Sequence, residues 1–296
     1  MKEASLSDTA TPAPSPSPST PTAPAPAPTE ADRSADLRAA PTAPLAAANP
    51  TIAAQLAHRT IRAFTDEPLD DDQVDTLLAV ARQAPTSSFY QQTTIIRVLD
   101  PAVREQLHLS SGQPYVGGER GELWVFVVDL HRNAVIRRQA GADLEPLERT
   151  ALFLEGVEDT LIAAQNVVVA AESLGLGTVY LGSIGGEPRR AIEVLRLPRH
   201  TYPLVGLLIG HAAQDPQYKP RLPEAFTSAI DAYPEFEDLT SALGAYDLAV
   251  RDYYDLRDAN RRVDSFTHQI AAKLGGGKAE NAPVLEVLHE QGLALR

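Results

Sequence analysis

The 296-residue chain has no cysteine and a single methionine, Met1. Without cysteine there can be no disulfide, Cys-ligated zinc, iron–sulfur cluster or thiolate nucleophile. Basic residues are in the minority, 26 Lys and Arg against 39 Asp and Glu, for a net charge of −13. A spread acidic excess argues against a nucleic-acid groove or an anionic-membrane surface. Any anionic ligand must then be held by a local cluster of cations. No apolar run reaches the roughly 18 residues of a membrane span, and none of signal-peptide length follows Lys2. The expected location is the cytoplasm. The seven histidines form no HExxH pair and no close spacing suited to a metal. Ser183 lacks the glycine two positions earlier that a nucleophile elbow needs.

Proline is unevenly spread: 11 of the 24 fall in the first 50 residues. Repeated Ala-Pro and Ser-Pro steps favour solvated, extended backbone with nothing large to bury. Residues 1–48 are therefore expected to form a disordered tail, and 49–296 a single domain with a helical extension from about 235. In the body, Asp70 and Gln73 read as a helix cap, followed by Val74, Leu77, Leu78 and Ala81 at helical spacing until Pro85. Thr93–Leu99, Leu123–Leu130, Thr178–Ile184 and Tyr202–Gly210 read as strands, the second and fourth buried on both faces. A long helix is predicted over about Leu147–Leu174, with Gly175 ending it. Shorter helices are predicted over Glu187–Leu197, through much of 235–273 and over Pro283–Gln291. The pattern is α+β or α/β, helices around a small sheet.

Four segments have the chemistry of a site. His58-Arg59-Thr60-Ile61-Arg62 places three cationic side chains and a hydroxyl within five residues, a set suited to a phosphate dianion. Its plain alternative is a solvated helix end. Pro85 to Gln92 gathers small hydroxyls and amides that can read the polar edge of a heteroaromatic ring, although ordinary turns use the same residues. The run from Gly175 to Gly186 fails the dinucleotide fingerprint, but Gly182 permits close approach to a flat ligand. Lys219-Pro220-Arg221 puts two cations on one side of a stiffened backbone.

In order along the chain, HRTIRAFTDEPLDDDQVDTLLAVARQAPTSSFYQ, SGQPYV, LGLGTVYLGSI, PLVGLLIGHAAQDPQYKPRLP, YDLAVRDYY, NRRVDSF and VLHEQGLALR resemble the nitroreductase superfamily. The resemblance runs from about Ile52 to Arg296 and is nearest to its NADPH-dependent flavin reductases and oxygen-insensitive nitroreductases. It implies an α+β three-layer sandwich with a mixed, mostly antiparallel sheet, and an interlocked homodimer paired through long central helices. One FMN would lie at each of two interfaces. His58, Arg59, Thr60 and Arg62 would hold its phosphate together with Lys219 and Arg221. Thr86, Ser87, Ser88 and Gln91 would line the flavin, and Gln113 would reach its pyrimidine edge. Tyr180, Leu181, Gly182 and Ser183 would back the ring, a backbone N–H of Gly182 or Ser183 meeting N5. Phe89 would be a gate. Arg257, Arg261 and Arg262 would favour NADPH by gripping its 2′-phosphate.

The implied reaction is ping-pong: hydride from NADPH to FMN, then two electrons to a nitroaromatic, a quinone or free flavin. A tailoring flavoenzyme without NADPH, or a flavin store that does not turn over, are the other readings. The sequence departs from the family pattern at Thr60, where serine is usual, and at Ser183, where a second glycine is usual. Gly185-Gly186 replaces a common arginine, and Ile230-Asp231-Ala232-Tyr233 replaces a His-Glu segment. These departures keep the phosphate-binding set and bear on substrate choice.

Overall fold

A computed structural model describes residues 29–258, 264–273 and 282–296. The helices are α1 Glu30–Arg38, α2 Pro50–Leu56, α3 Asp71–Arg82, α4 Pro101–Ser111, α5 His131–Gln139 and α6 Thr150–Ser173. They continue with α7 Pro188–Val194, α8 Leu239–Ala242, α9 Gly244–Asp258, α10 Phe266–Lys273 and α11 Val284–Glu290. The strands β1 Thr93–Val98, β2 Glu122–Asp129, β3 Gly177–Leu181 and β4 Thr201–Gly210 form an antiparallel sheet in the order β1-β2-β4-β3.

The sheet is the middle of three layers, and β2 shows why. In this strand, buried from Leu123 to Asp129, successive side chains point to opposite faces. Trp124 and Phe126 pack with Val74, Leu77, Ala164, Val167 and Val168 from α3 and α6. Leu123, Val125 and Val127 pack the other way, with Leu107 of α4 and Ala191 of α7. Each large apolar side chain taken fully out of water in these layers contributes about 1.5–3 kcal/mol. The α+β class follows directly.

Local chemistry sets the ends of the main helices. Asp70 and Gln73 close a reciprocal capping box on α3. After α6 the chain reverses through Gly175, whose φ of +79° suits glycine. At the C-terminus, Leu293 joins Val287, Leu288 and Tyr202 in a third cluster. This end is tied down by Gln291, whose carbonyl accepts the His200 N–H at 2.8 Å.

Two sequence expectations are corrected. The strand expected over Thr178–Ile184 ends at Leu181, and Gly182–Gly186 is a 3₁₀ turn. Buried Ser110 holds that turn by donating to the Ile184 and Glu187 carbonyls at 3.2 and 3.0 Å. The tail expected to be disordered through residue 48 is helical over Glu30–Arg38, and residues 46–48 form a 3₁₀ turn. A Thr29–Asp32 capping box starts α1, and Leu37 packs among the tyrosines of α9. Residues 1–28 lie outside the described residues.

His200 gives the fold an acid-sensitive joint. Burial, with Arg199 and then Arg138 and His131 as neighbouring cations, holds its imidazole below the ordinary value. The Gly292 backbone beside the ring opposes the shift. A depressed imidazole pKa means that the folded state prefers the neutral ring. This contribution is complete above the unfolded value of about 6.5 and is lost as pH falls through the lower folded value. Urea midpoints measured across this acidic range should fall for the native chain. They should fall less for His200→Asn, a polar residue that does not titrate and tolerates the positive φ at this position.

Candidate functional site

After α2 the chain straightens along the sheet edge. The Ile61 N–H donates to the Thr178 carbonyl at 2.9 Å, and Thr60 bridges Thr178 in parallel. Gly177 allows this approach, since a Cβ there would lie 2.7 Å from Ile61. Ile61 and Phe64 turn into the core, leaving His58, Arg59, Thr60 and Arg62 half-buried beside the edge. His58 Nδ1 lies 2.6 Å from Glu172 Oε1, which also accepts the Thr178 hydroxyl at 2.8 Å. Arg59 stacks over Tyr218, 4.6 Å from the ring centroid, and pairs with the exposed Asp215. Arg62 lies over Tyr115, 5.8 Å from its centroid.

The second cationic segment is anchored from behind. Tyr246 of α9 donates its hydroxyl to the Pro220 carbonyl at 3.3 Å, and burial raises its phenol pKa. Arg221 donates to the Lys219 carbonyl at 3.0 Å. The two segments meet: His58, Arg59, Thr60, Arg62, Lys219 and Arg221 line one cavity of about 400 Å³. In a strongly acidic chain, this gathers in one place the charge-assisted donors that a phosphate-sized anion needs. The donor set fits the phosphate end of FMN.

The other predicted residues divide. Tyr180 points outward from β3, its hydroxyl 3.2 Å from Gln165 Oε1, and burial with nearby Glu172 raises its pKa. Leu181 turns its side chain into the core, so only its backbone is available to a ligand. Gly182 is exposed with open space where a Cβ would stand, as a flat ring requires. The Ser183 hydroxyl is engaged with that of Ser111 at 2.6 Å. Gln113 lines neither this cavity nor the one described next, but follows α4 two residues before Tyr115. The Arg257 side chain, and Arg261 and Arg262 entirely, lie outside the described residues.

The Thr86–Gln91 loop lies elsewhere. Thr86, Phe89 and Gln91 line a separate cavity of about 730 Å³ with Arg82, Arg132 and Asp159. Ser88, Phe89 and Gln91 all have positive φ, an uncommon and costly run of non-glycine residues. Buried Asp159 holds the loop by accepting the Ser87 N–H at 2.7 Å and the Gln92 N–H at 3.4 Å. Arg132 adds a bond to the Gln91 carbonyl at 2.8 Å, and Phe89 is left 80% exposed. Asp159 and Glu172 both belong to α6, thirteen residues apart, or about 20 Å along the helix axis. Within a single chain the loop is therefore anchored near the middle of α6, and the cation-lined cavity lies toward the C-terminal end of the same helix.

Glu172, Asp159, Arg132 and Tyr218 were not identified from sequence. The two carboxylates did leave a signal, as acidic residues within the mostly apolar α6. Among the described residues, no cluster of three or more His, Asp or Glu side chains is arranged to hold a metal.

The sheet, the central helix and the paired cationic segments define an α+β protein with a cation-lined cavity at the sheet edge. The chain belongs to the nitroreductase family: the family model matches residues 56–211 and its C-terminal domain model residues 219–296. It is 40% identical over 250 residues to the oxygen-insensitive NADPH nitroreductase of Salmonella typhimurium, covering 84% of this chain and all of that one. It is 39% identical over 225 residues to the FMN reductase (NADPH) of Bacillus subtilis, covering 75% and 90% of the two chains. The solved NADPH:FMN oxidoreductase of Vibrio harveyi, complexed with NAD+, superposes with a TM-score of 0.74 at 35% identity. That match covers 84% of this chain and 100% of the other.

Replacing Asp159 tests the loop's support. Asp159→Asn keeps one acceptor but turns an NH₂ toward a second N–H donor, and should cost about 1–3 kcal/mol in urea denaturation. Asp215→Asn, at an exposed ion pair, should leave the urea midpoint unchanged.

Proposed function

We propose that the chain is an NADPH-dependent FMN oxidoreductase, reducing nitroaromatic, quinone or free flavin acceptors. The observation that carries this reading is the meeting of two cationic segments, remote in sequence, around one anion-sized cavity. The relatives named for NADPH nitroreductase and FMN reductase activity support it. FMN, when bound, supplies the two-electron relay between NADPH and the acceptor.

The protein's part is to bind and orient. Arg59, Arg62, Lys219 and Arg221 supply charge-assisted bonds to the phosphate, with His58 fixed by Glu172 and Thr60 adding a hydroxyl. Tyr180 and the backbone of Gly182 and Ser183 back the ring, one N–H reaching the flavin. Arg257, Arg261 and Arg262 select the 2′-phosphate of NADPH. No side chain need act as acid or base, because orientation and fixed charge supply the catalysis.

A second copy of the chain completes the site. α6 exposes Leu154, Leu161 and Ile162, an apolar face suited to antiparallel pairing of two central helices. Such a pairing, centred near Gln165, sets Asp159 of one helix level with Glu172 of the other. The Thr86–Gln91 loop of each copy, with Gln113 and the gate Phe89, then reaches the other's phosphate receptor. The enzyme works in the cytoplasm, where reduced nicotinamide donors are made.

Purified protein should carry FMN, lose its visible absorbance on anaerobic titration with NADPH, and recover it when an acceptor is added. A colourless protein that takes up no FMN would refute the assignment. Arg221→Ala should weaken FMN binding by roughly ten- to a hundredfold, the loss of a bond to a charged group, with thermal stability little changed. Arg261→Ala and Arg262→Ala should raise KM for NADPH and leave that for NADH alone.

A further inference from the structure

We propose that α1 is a built-in brace for the phosphate receptor, holding the cations of Arg59 and Lys219–Arg221 in place from behind. The inference rests on the FMN reading and adds to it a part outside the shared family machinery. The family model begins at residue 56, and the full-length Salmonella relative accounts for 84% of this chain.

α1 is docked by three different contacts. Ser34 is buried, and Leu37 packs in the cluster of Leu243, Tyr246, Tyr253 and Tyr254. Arg38 pairs with Asp252 of α9 at 2.6 Å. The same cluster takes in Leu222, the residue after Arg221, and Tyr246 carries the hydrogen bond to Pro220. Tyr253 reaches through to line the phosphate cavity itself. The apolar seat that receives Leu37 is thus the one on which Lys219-Pro220-Arg221 rests.

A second line of contact leads to Arg59. Ala35, Arg38 and Ala39 line one cavity with Gln217, Tyr218 and Tyr253, and Tyr218 is the ring beneath the Arg59 guanidinium. Beyond the helix, residues 39–42 form one wall of a cavity that His58, Lys219 and Arg221 also line. The positions of the arginine forks are therefore set partly by α1. A receptor ordered before binding avoids an entropy cost that a loose one meets on each capture.

Arg38→Glu and Leu37→Asp in the full chain, with hydrogen exchange of the α1 amides reporting undocking, test the brace. The readouts are dissociation constants for FMN and for riboflavin, which has the same ring without the phosphate. Undocking should weaken FMN on the order of tenfold and change riboflavin less than about twofold. The charge swap Arg38→Glu with Asp252→Arg should restore FMN affinity. Arg38 is an exposed ion-pair partner, so this arm of the test stands if Leu37→Asp fails to fold. Undocked α1 with unchanged FMN affinity overturns the brace and leaves the FMN reading intact. Equal loosening of FMN and riboflavin also overturns it, since the effect would then not pass through the phosphate receptor. If the unaltered chain binds neither flavin, both readings fall together.

Discussion

One backbone pairing underlies the site: the Ile61 N–H on the Thr178 carbonyl, beside the Thr60–Thr178 bridge. It turns a cation-rich stretch after a short helix into an extra rung at the edge of the sheet. With Ile61 and Phe64 fixed inward, the residues between and before them are fixed outward. Like charges that would repel in an unconstrained segment are held close by a scaffold that does not depend on them. Gly177 is part of the same constraint, because any side chain there would push the rung away.

The central helix does the complementary work. Its apolar positions pack on the sheet, while two of its carboxylates face local polar tasks, one mid-helix and one in the last turn. Asp159 satisfies the amides of a loop with three left-handed residues, and Glu172 orients His58 and Thr178. A buried carboxylate such as Asp159 is costly unless several donors meet it, and it has two; the partly buried Glu172 is likewise met by His58 and Thr178. Length matters as much as composition, since it separates loop from receptor within a single chain.

Periodicity made the framework legible. α3 announced itself through its capping box and apolar spacing, and β2 and β4 through runs buried on both faces. α5 was not recognised because its sequence, HRNAVIRRQ, buries only Ala134 and has no apolar stripe. α4 starts at Asp100-Pro101, a recognisable cap, but its polar residues obscured the pattern. α1 was hidden by the proline- and alanine-rich stretch around it, and its packing depends on tyrosines more than 200 residues later. The cationic segments were readable as chemistry. Their meeting, and the separation of the Thr86–Gln91 loop from them, are properties of the fold that no local pattern contains.

Asp215 carries a consequence of its own. Arg59 already holds a carboxylate on a solvent-facing loop, so under the proposed reading an incoming phosphate would displace a resident anion instead of filling a bare cation. Capture would then be a swap between competing bases. Release would run the same exchange backwards, with the displaced carboxylate tethered close at hand.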